Sequence, residues 1–322
     1  MKKILFLFTA LLSMSASVMA DGLTATLQQG DSMTPFYGVD AFKQAYEAAQ
    51  DGAVITLSSG KFNDVSSIDK SITIVGAYAF GSNGAKTTST TINADNVKIE
   101  GISFSGNVTI GGVSNCHLKR SCVWGELTST SGTEHVNTLI DQCLIKADNA
   151  ISNGKNYCMK NCTIGGFLAM NTVENFAYVS NCYVCNWFNQ SDAYKQPYAI
   201  YKNNVLCCFS SNKYYQLNLD SPSEYYYNYF YRNFAYVKFT DGCIDVSNNI
   251  GTFTSSLNPS NVVGMIDVSL DKIGQDGTPI GITGGTGFSE YPAIPRITSQ
   301  TISSITDAEG RLNVKVAVEV QK

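Results

Sequence analysis

The residues of this chain that are best suited to chemistry are cysteines, and four of them recur in similar surroundings. The segments read VSNCHL (113–118), IDQCLI (140–145), MKNCTI (159–164) and VSNCYV (179–184). Each places an amide side chain before the cysteine and an aliphatic residue two positions after it. Recurring cysteines can bind a metal, form disulfides or act as nucleophiles, so their spacing has to decide between these roles.

Groups that could transfer protons are few. The chain has two histidines, His117 and His135. His117 follows Cys116, and the alternation of side chains along a strand directs it outward, so we expect a solvent-facing residue. His135 lies beside Glu134 in a predicted loop, and the sequence leaves a role in proton transfer open there.

Aromatic residues are concentrated in one segment, KYYQLNLDSPSEYYYNYFYRNFAYVKF (213–239), which holds eleven of them. If Phe230 points inward, its neighbours Tyr229 and Tyr231 point outward. A tyrosine ring has an apolar face and a polar tip, which suits stacking on a sugar ring. Tyrosines also tile the surfaces of β-proteins without binding anything. The candidate ligand residues, to which neighbouring segments and the nearby arginine contribute, are Trp187, Tyr201, Tyr229, Tyr231 and Arg232.

The elements that position these residues follow from a repeat. Aligned on the cysteine, the pattern continues through Asn204, Asn228 and Asn249, with steps of 27, 19, 20, 22, 24 and 21 residues. Irregular repeats of this length are typical of solenoids. Each unit holds short alternating strands between Asn- or Gly-bearing turns and no helical period. The sequence therefore predicts an all-β, single-stranded right-handed parallel β-helix with coils about 4.8 Å apart.

The β-helix explains the cysteines. Equivalent side chains stack from coil to coil, so Cys116, Cys143, Cys162 and Cys182 are predicted to form one inward row of free thiols. Their β-carbons would lie about 4.8 Å apart, beyond the separation of a relaxed disulfide, and a row does not converge tetrahedrally on a metal. The aliphatic partners would share the inward face, and the amides before the cysteines would bond from coil to coil in the turn. These partners are Leu118, Ile145, Ile164 and Val184, and these amides are Asn115, Gln142, Asn161 and Asn181.

The two ends of the chain indicate export and capping. Residues 1–20 carry Lys2 and Lys3, an apolar run from Ile4 to Leu12 and a cleavage site at Val18-Met19-Ala20, which together predict a signal peptide cut after Ala20. Residues 39–50 have apolar positions at helical spacing, which predicts an amphipathic helix over the first coil, starting from Asp40. Residues 312–320 alternate strictly and predict a terminal strand. We expect the β-helix over 21–270 and a closing segment over 271–322.

Composition narrows the class of partner. Charged residues make up 15% of the chain, the net charge is −4, and no basic block occurs. The electrostatic footprint of a nucleic-acid-binding protein is therefore missing. No second long apolar run follows the signal, so no transmembrane segment is expected after cleavage. The protein is predicted to be exported, to the periplasm, the outer surface or the medium.

Two segments resemble a known family. DAFKQAYEAAQDGAVITLSSGKF (40–62), followed by SITIVG (71–76), resembles the N-terminal cap and first coil of the pectin-lyase-like superfamily. GQDGTPIGITGGTGFSEYPAIPRI (274–297) resembles the closing segment of exported bacterial β-helix proteins. The resemblance spans nearly the whole mature chain and implies the fold. It does not imply one activity, because this scaffold hosts lyases, hydrolases, esterases and non-catalytic adhesins.

The catalytic motifs of the superfamily are missing. The chain has no Gly-His-Gly, no Arg-x-Pro-x-x-Arg and no group of three aspartates typical of a calcium site. We therefore expect a non-catalytic, exported glycan-binding or scaffold protein without cofactor or metal. The alternative is a divergent polysaccharide lyase or glycoside hydrolase. Its base would be Arg232 or Lys238, and its carboxylates would come from Asp220, Glu224, Asp241 and Asp245.

Overall fold

A computed structural model describes the protein. The described residues are 22–77, 79, 84–147, 149–152, 154–171, 177–186, 199–207, 224–226, 229–231, 244–245, 273–274, 276–286, 288, 296–306 and 312–319. The chain divides into two compact units, residues 1–286 and residues 287–322.

The described elements are one helix, α1 (Ala41–Ala48), and a series of short strands. In chain order the strands are β1 (Thr24–Gln29), β2 (Ser32–Tyr37), β3 (Val54–Leu57), β4 (Gly60–Lys61), β5 (Ser67–Ile68), β6 (Thr73–Gly76), β7 (Ala85–Thr87), β8 (Thr90–Ile92), β9 (Lys98–Glu100), β10 (Ile102–Phe104), β11 (Val108–Ile110), β12 (His117–Lys119), β13 (Cys122–Val123), β14 (Leu127–Ser129), β15 (His135–Val136), β16 (Leu139–Asp141), β17 (Leu144–Ile145), β18 (Asn149–Ser152), β19 (Gly154–Lys155), β20 (Cys158–Lys160), β21 (Thr163–Asn171), β22 (Ala177–Ser180), β23 (Tyr183–Asn186), β24 (Ala199–Lys202), β25 (Val205–Cys207), β26 (Glu224–Tyr226), β27 (Tyr229–Tyr231), β28 (Ile244–Asp245), β29 (Arg296–Thr306) and β30 (Leu312–Glu319).

The strands of unit 1 stack into a parallel β-solenoid, which confirms the predicted fold class. Sheet A has the order β3-β6-β9-β12-β16-β20-β22-β24-β26. Sheet B runs β4-β7-β10-β13-β17-β21-β23-β25-β27-β28, and sheet C runs β5-β8-β11-β14-β18-β21. Each coil therefore passes through A, then B, then C. Every pairing within these three sheets is parallel. No described helix has the length and apolar character needed to cross a membrane.

The core is a set of stacked inward rows. In sheet A the central residue of each strand faces inward and pairs in register with its counterpart in the next coil. All members of this row are buried, and burying apolar side chains of this size contributes about 1.5–3 kcal/mol each. The row consists of Ile55, Ile74, Ile99, Leu118, Ile140, Met159, Val179 and Tyr201.

Two elements close the first coil. Helix α1 packs against β1, β2 and β3 and buries Ala41, Phe42 and Ala45, as its apolar spacing predicts. The exposed edge of sheet A is covered separately, because β1 pairs antiparallel with β3 and continues into β2. The sequence predicted the helix over the first coil but not this hairpin. β2 is the outer strand and contains Pro35, which has no N–H for a further strand to bind.

Asparagine forms two different corners of the coil. At corner one, before the sheet A strands, Asn96, Asn115, Asn137 and Asn156 adopt positive φ between 52° and 60°. From Asn115 onward, each side-chain Nδ2 donates to the Oδ1 of the asparagine in the preceding coil, at 3.0–3.1 Å. Corner two follows the sheet A strands, and its residues also have positive φ. They are Arg120, Gln142, Asn161, Asn181 and Asn203.

The cysteine row lies just inside corner two. The backbone N–H of Cys143 donates to Sγ of Cys162, and that of Cys162 donates to Sγ of Cys182, both at 3.4 Å. Asn204 extends the row, since its Oδ1 accepts from the N–H of Cys182 at 2.8 Å. The thiols are free and buried, as predicted. Their sulfurs therefore satisfy backbone donors that a purely aliphatic residue would leave without a partner.

Cys116 does not belong to this row, so the prediction is wrong for one of the four cysteines. Cys116 lies at corner one, next to Asn115, and the residue after it pairs with Lys98 and Leu139 in sheet A. Ser121 occupies the cysteine position in that coil, and its Oγ accepts from the N–H of Ile102 at 3.3 Å. The 27-residue step in the sequence alignment came from joining two different corners.

Unit 2 is an antiparallel pair of strands. β29 and β30 pair from Arg296 with Glu319 to Thr306 with Leu312, with two irregularities in register. The alternation over residues 312–320 therefore predicted a strand correctly as far as Glu319.

Candidate functional site

The predicted tyrosine-rich site is only partly described. Trp187 and Arg232 lie outside the described residues. The backbone of β27 pairs Tyr229 with Val205, Phe230 with Leu206 and Tyr231 with Cys207. Tyr201 was expected on the outer surface. It is 0% exposed and belongs to the inward row of sheet A, because it pairs with the buried Val179.

The carboxylates and bases of the enzyme alternative are also mostly outside the described part. Glu224 and Asp245 are known only by strand position, in β26 and β28. The others lie among residues that the structure does not describe, namely Asp220, Lys238 and Asp241.

The outward surface of sheet A carries two parallel rows of side chains, which together we name the axial track. The first row, the charged row, comes from the residue just before corner two in successive coils. It consists of Glu100, Lys119, Asp141, Lys160, Ser180 and Lys202. The second row, the neutral row, lies two residues earlier in each strand. From β12 onward it consists of His117, Leu139, Cys158, Tyr178 and Ile200, whereas the same position in β9 is the exposed Lys98.

Charge alternates along the first part of the charged row. Arg120 Nη1 lies 3.1 Å from Glu100 Oε1, and its Nε donates to Gln142 Oε1 at 3.1 Å. Lys160 Nζ lies 3.6 Å from Asp141 Oδ2. Four basic groups (Arg120 and the three lysines) face two carboxylates here. The track therefore carries a local positive excess on a chain whose net charge is −4.

Asp141 is the most unusual residue of the track. It is 4% exposed, and its Oδ1 has no hydrogen-bond partner. Leaving a buried polar atom without a partner costs on the order of 1–3 kcal/mol. Because Oδ1 is buried, Asp141 can act on a ligand of the track only through its negative charge.

His117 has the same feature one coil earlier. Its Nε2 is buried and has no hydrogen-bond partner. Burial lowers the pKa of His117 below its usual value, and the charge of Asp141 opposes that shift. A neutral imidazole can donate or accept at Nε2 depending on its tautomer. Both unpartnered atoms are buried, so neither is open to a direct contact with a ligand.

The neutral row supplies apolar surface beside these polar groups. Tyr178 is the most open large side chain of the track, with 51% of its surface exposed. Leu139, Cys158 and Ile200 are half-buried around it. A flat, partly exposed ring next to hydrogen-bonding groups is the arrangement that suits the face of a sugar ring.

The outward surface of sheet B differs, because its corresponding row is closed. Cys122, Leu144, Thr163, Tyr183 and Val205 alternate with inward residues, yet all are buried. Burial raises the pKa of the Cys122 thiol to about 12. From β13 to β25 this row is therefore a packing face, whereas Lys61 and Lys86 at its start are not buried.

A segment from near the end of unit 1 is bound at corner two, and we name residues 273–286 the strap. Asn161 Nδ2 donates to the carbonyl oxygens of Ile282 and Gly284, at 2.8 and 2.6 Å. Asn181 Nδ2 donates to Pro279 O at 3.3 Å. The strap buries Ile280 and Ile282. Of the four amides predicted to bond from coil to coil, Asn115 does so at corner one and Gln142 accepts from Arg120 of the preceding coil, whereas Asn161 and Asn181 bind the strap.

His135 does not lie in an open loop. It is buried in β15, with Nδ1 2.9 Å from Thr138 Oγ1 and its ring edge-to-face with Tyr157 at 5.9 Å. Its neighbour Glu134 forms an ion pair with Lys155 on the surface. Within the described part of the chain, no three His, Cys, Asp or Glu side chains form a group suited to a metal ion.

The axial track was not predicted, although the sequence contains a pattern that identifies its charged row. The residue just before each corner-two position can be read directly from the pairs KR, DQ, KN, SN and KN at 119–120, 141–142, 160–161, 180–181 and 202–203. The pattern becomes visible only when the repeats are aligned on corner two. Alignment on Cys116, which lies at corner one, hid it. No family model matches the chain, and no significant match exists among curated proteins or solved structures.

Proposed function

We propose that the chain is an exported, non-catalytic β-helix protein of the pectin-lyase-like type that binds a glycan along the axial track. The observation that carries the proposal is the exposed Tyr178 ring on one open face, with the half-buried Lys160, Ser180 and Lys202 in the row beside it. Sugars need both an apolar surface for the ring and acceptors for hydroxyl groups.

The shape of the face supports a chain of sugars over a compact metabolite. The rows extend over successive coils, from Glu100 and His117 to Lys202 and Ile200. Small molecules prefer enclosed pockets that surround most of their surface. A long row of equivalent positions offers the same contact again at each coil, which suits a repeating polymer.

A panel of soluble glycans tests binding and catalysis together. We expect saturable binding without new reducing ends and without unsaturated products. Tyr178→Ala should weaken binding by about three- to tenfold, because an aromatic contact contributes about 0.5–1.5 kcal/mol. Tyr37→Ala is the matched control, since Tyr37 is 49% exposed but lies on β2, away from the track.

Depolymerisation of any glycan in the panel would instead favour the divergent lyase or hydrolase. In that case Arg232→Ala and Lys238→Ala should abolish product formation, since these are the bases that the sequence offers. Equal loss of binding in the Tyr178 and Tyr37 variants would contradict the assignment of the track.

Export is part of the same proposal. The lysines and apolar run of residues 1–20 support it. Intact-mass analysis of the protein made in a Gram-negative host should give a chain that begins at Asp21. An uncut chain retained in the cytoplasm would contradict export.

A further inference from the structure

The lysines of the charged row recur at every second coil. Lys119 is followed one coil later by Asp141 and two coils later by Lys160, and Ser180 lies between Lys160 and Lys202. Since adjacent parallel strands lie about 4.8 Å apart, the three lysine positions are spaced by about 9.6 Å along the solenoid axis. The positions between them hold a carboxylate and a hydroxyl.

From this spacing we infer that the ligand of the axial track is an anionic polysaccharide with a negative group on every second sugar. A linear pyranose polymer that lies along the axis advances by about one strand spacing per sugar. Its charged sugars would then meet Lys119, Lys160 and Lys202, and its neutral sugars would meet Asp141 and Ser180. This inference rests on the proposed function and adds the chemical class of the glycan.

Asp141 discriminates between charge patterns. A polymer with a carboxylate on every sugar would place a negative group over the buried Asp141 carboxylate, and like charges repel. A neutral sugar at the same place would carry no charge for Asp141 to repel. Ser180 can exchange hydrogen bonds with a hydroxyl but gives no charge.

The charge density of the track does not suit nucleic acid. Duplex DNA carries one negative charge for about every 1.7 Å of its axis, which is several times denser than one lysine for every two coils. The carboxylates Glu100 and Asp141 in the same row would lie against further phosphates. Sparse, regularly spaced anions separated by neutral, hydroxyl-bearing units fit the row better.

Calorimetric titration with three carbohydrate probes of equal length tests the inference. Hyaluronan oligosaccharides carry a carboxylate on every second sugar, oligogalacturonate carries one on every sugar, and cello-oligosaccharides carry none. We expect hyaluronan to bind most tightly, with an affinity that falls as salt is added because charge contacts are screened. Single-stranded DNA of the same contour length is the fourth probe and should bind more weakly than hyaluronan.

Two lysine variants assign the contact to the track. Lys160→Gln should weaken hyaluronan binding by about two- to fivefold, as expected for one partly exposed ion pair. Lys86→Gln is the matched control, because Lys86 is also half-buried and outward but lies on β7 in sheet B. It should leave the affinity unchanged.

A third variant tests the spacing itself. Ser180→Lys fills the gap between Lys160 and Lys202, so it should raise the affinity for oligogalacturonate more than the affinity for hyaluronan. Equal affinity of the parent protein for hyaluronan, oligogalacturonate and DNA would overturn the inference and leave a general polyanion surface. Tight binding of the neutral probe alone would overturn the inference while the glycan-binding function stands. Binding of no carbohydrate would overturn both.

Discussion

Two outward faces of the same coils differ in what they do. Leu139 and Leu144 are five residues apart in one coil, and both point away from the core, on sheet A and sheet B respectively. Leu139 is half-buried beside the charged row, whereas Leu144 is 0% exposed. The period of two along a strand therefore identifies inward and outward sides but does not tell an open surface from a packing face.

The corners show the same contrast. At corner one the asparagine side chains bond to one another and remain exposed, as between Asn115 and Asn137. At corner two the backbone conformation is equivalent, but Asn161 and Asn181 donate to the strap. Asparagine at positive φ satisfies the turn in both places, and what its amide binds depends on whether another segment reaches it.

The largest expected effect is a difference between the two leucines. Leu144→Ala should lower the free energy of unfolding by about 2–5 kcal/mol, because it removes fully buried methyl groups from a packed face. Leu139→Ala should lower it by less than about 1 kcal/mol, because that side chain already contacts solvent. Urea denaturation of the two variants measures both. Similar losses would show that sheet B is no more a packing face than sheet A.

A smaller effect is expected from loosening the strap. Asn161→Gly keeps the left-handed turn but removes two hydrogen bonds to Ile282 and Gly284, so it should cost about 1–3 kcal/mol in unfolding free energy. Asn137→Gly is the control, since it removes only exposed ladder bonds at corner one. If Asn137→Gly lowers the free energy of unfolding as much as Asn161→Gly does, the bonds to the strap add no more stability than the bonds at corner one.

The reactivity of two cysteines compares the outward faces of sheets A and B. Cys158 is half-buried on the outward side of sheet A, and Cys122 is buried on the outward side of sheet B. Burial raises the pKa of both thiols, that of Cys122 to about 12. Because the thiolate is the reactive form, native Cys158 should be alkylated at least about tenfold faster than Cys122. The rate at Cys158 should rise with pH, and peptide mass spectrometry measures both sites.

Equal alkylation of Cys122 and Cys158 in the native protein would contradict the closed state of sheet B. Under denaturing, non-reducing conditions Cys116, Cys143, Cys162 and Cys182 should also react, since all four are free thiols. A disulfide-linked peptide among them would contradict the buried row.

The smallest effect concerns pH. Burial lowers the pKa of His117 in the folded state, so its contribution to stability is present above the unfolded pKa of about 6.5 and is lost as pH falls below it. The melting temperature should therefore fall less between pH 7 and pH 5 in His117→Gln than in the parent. The same change of melting temperature with pH in both proteins would show that His117 is more exposed to solvent than the structure indicates.

The sequence predicted what repeats and missed what occurs once. The coil length, the inward aliphatics and the free thiols follow from positions that recur, such as Cys143 and Cys162. The hairpin β1–β2 and the strap occur once and have no internal copy for comparison. Their role depends on which strand edge or corner they reach, and this depends on tertiary contacts that no local pattern contains.

The site was harder to predict than the fold for a related reason. Tyrosine is a residue type that often binds ligands, but whether the Tyr201 side chain points inward or outward depends on the register of β24. That register pairs Tyr201 with the inward-facing Val179. A shift by one residue in a strand reverses every side chain. Nothing in the sequence distinguishes Asp141 from the other carboxylates, and only its burial and the missing partner of its Oδ1 do so.

Hydroxyl-radical footprinting tests most directly whether sheet A provides the ligand face. Tyr178 and Tyr37 are about equally exposed, on the axial track and on β2 respectively. With hyaluronan oligosaccharide at saturation, we expect oxidation of Tyr178 to fall several-fold while that of Tyr37 stays constant. Saturated binding that leaves Tyr178 as readily oxidised as in the free protein would contradict the assignment of the axial track.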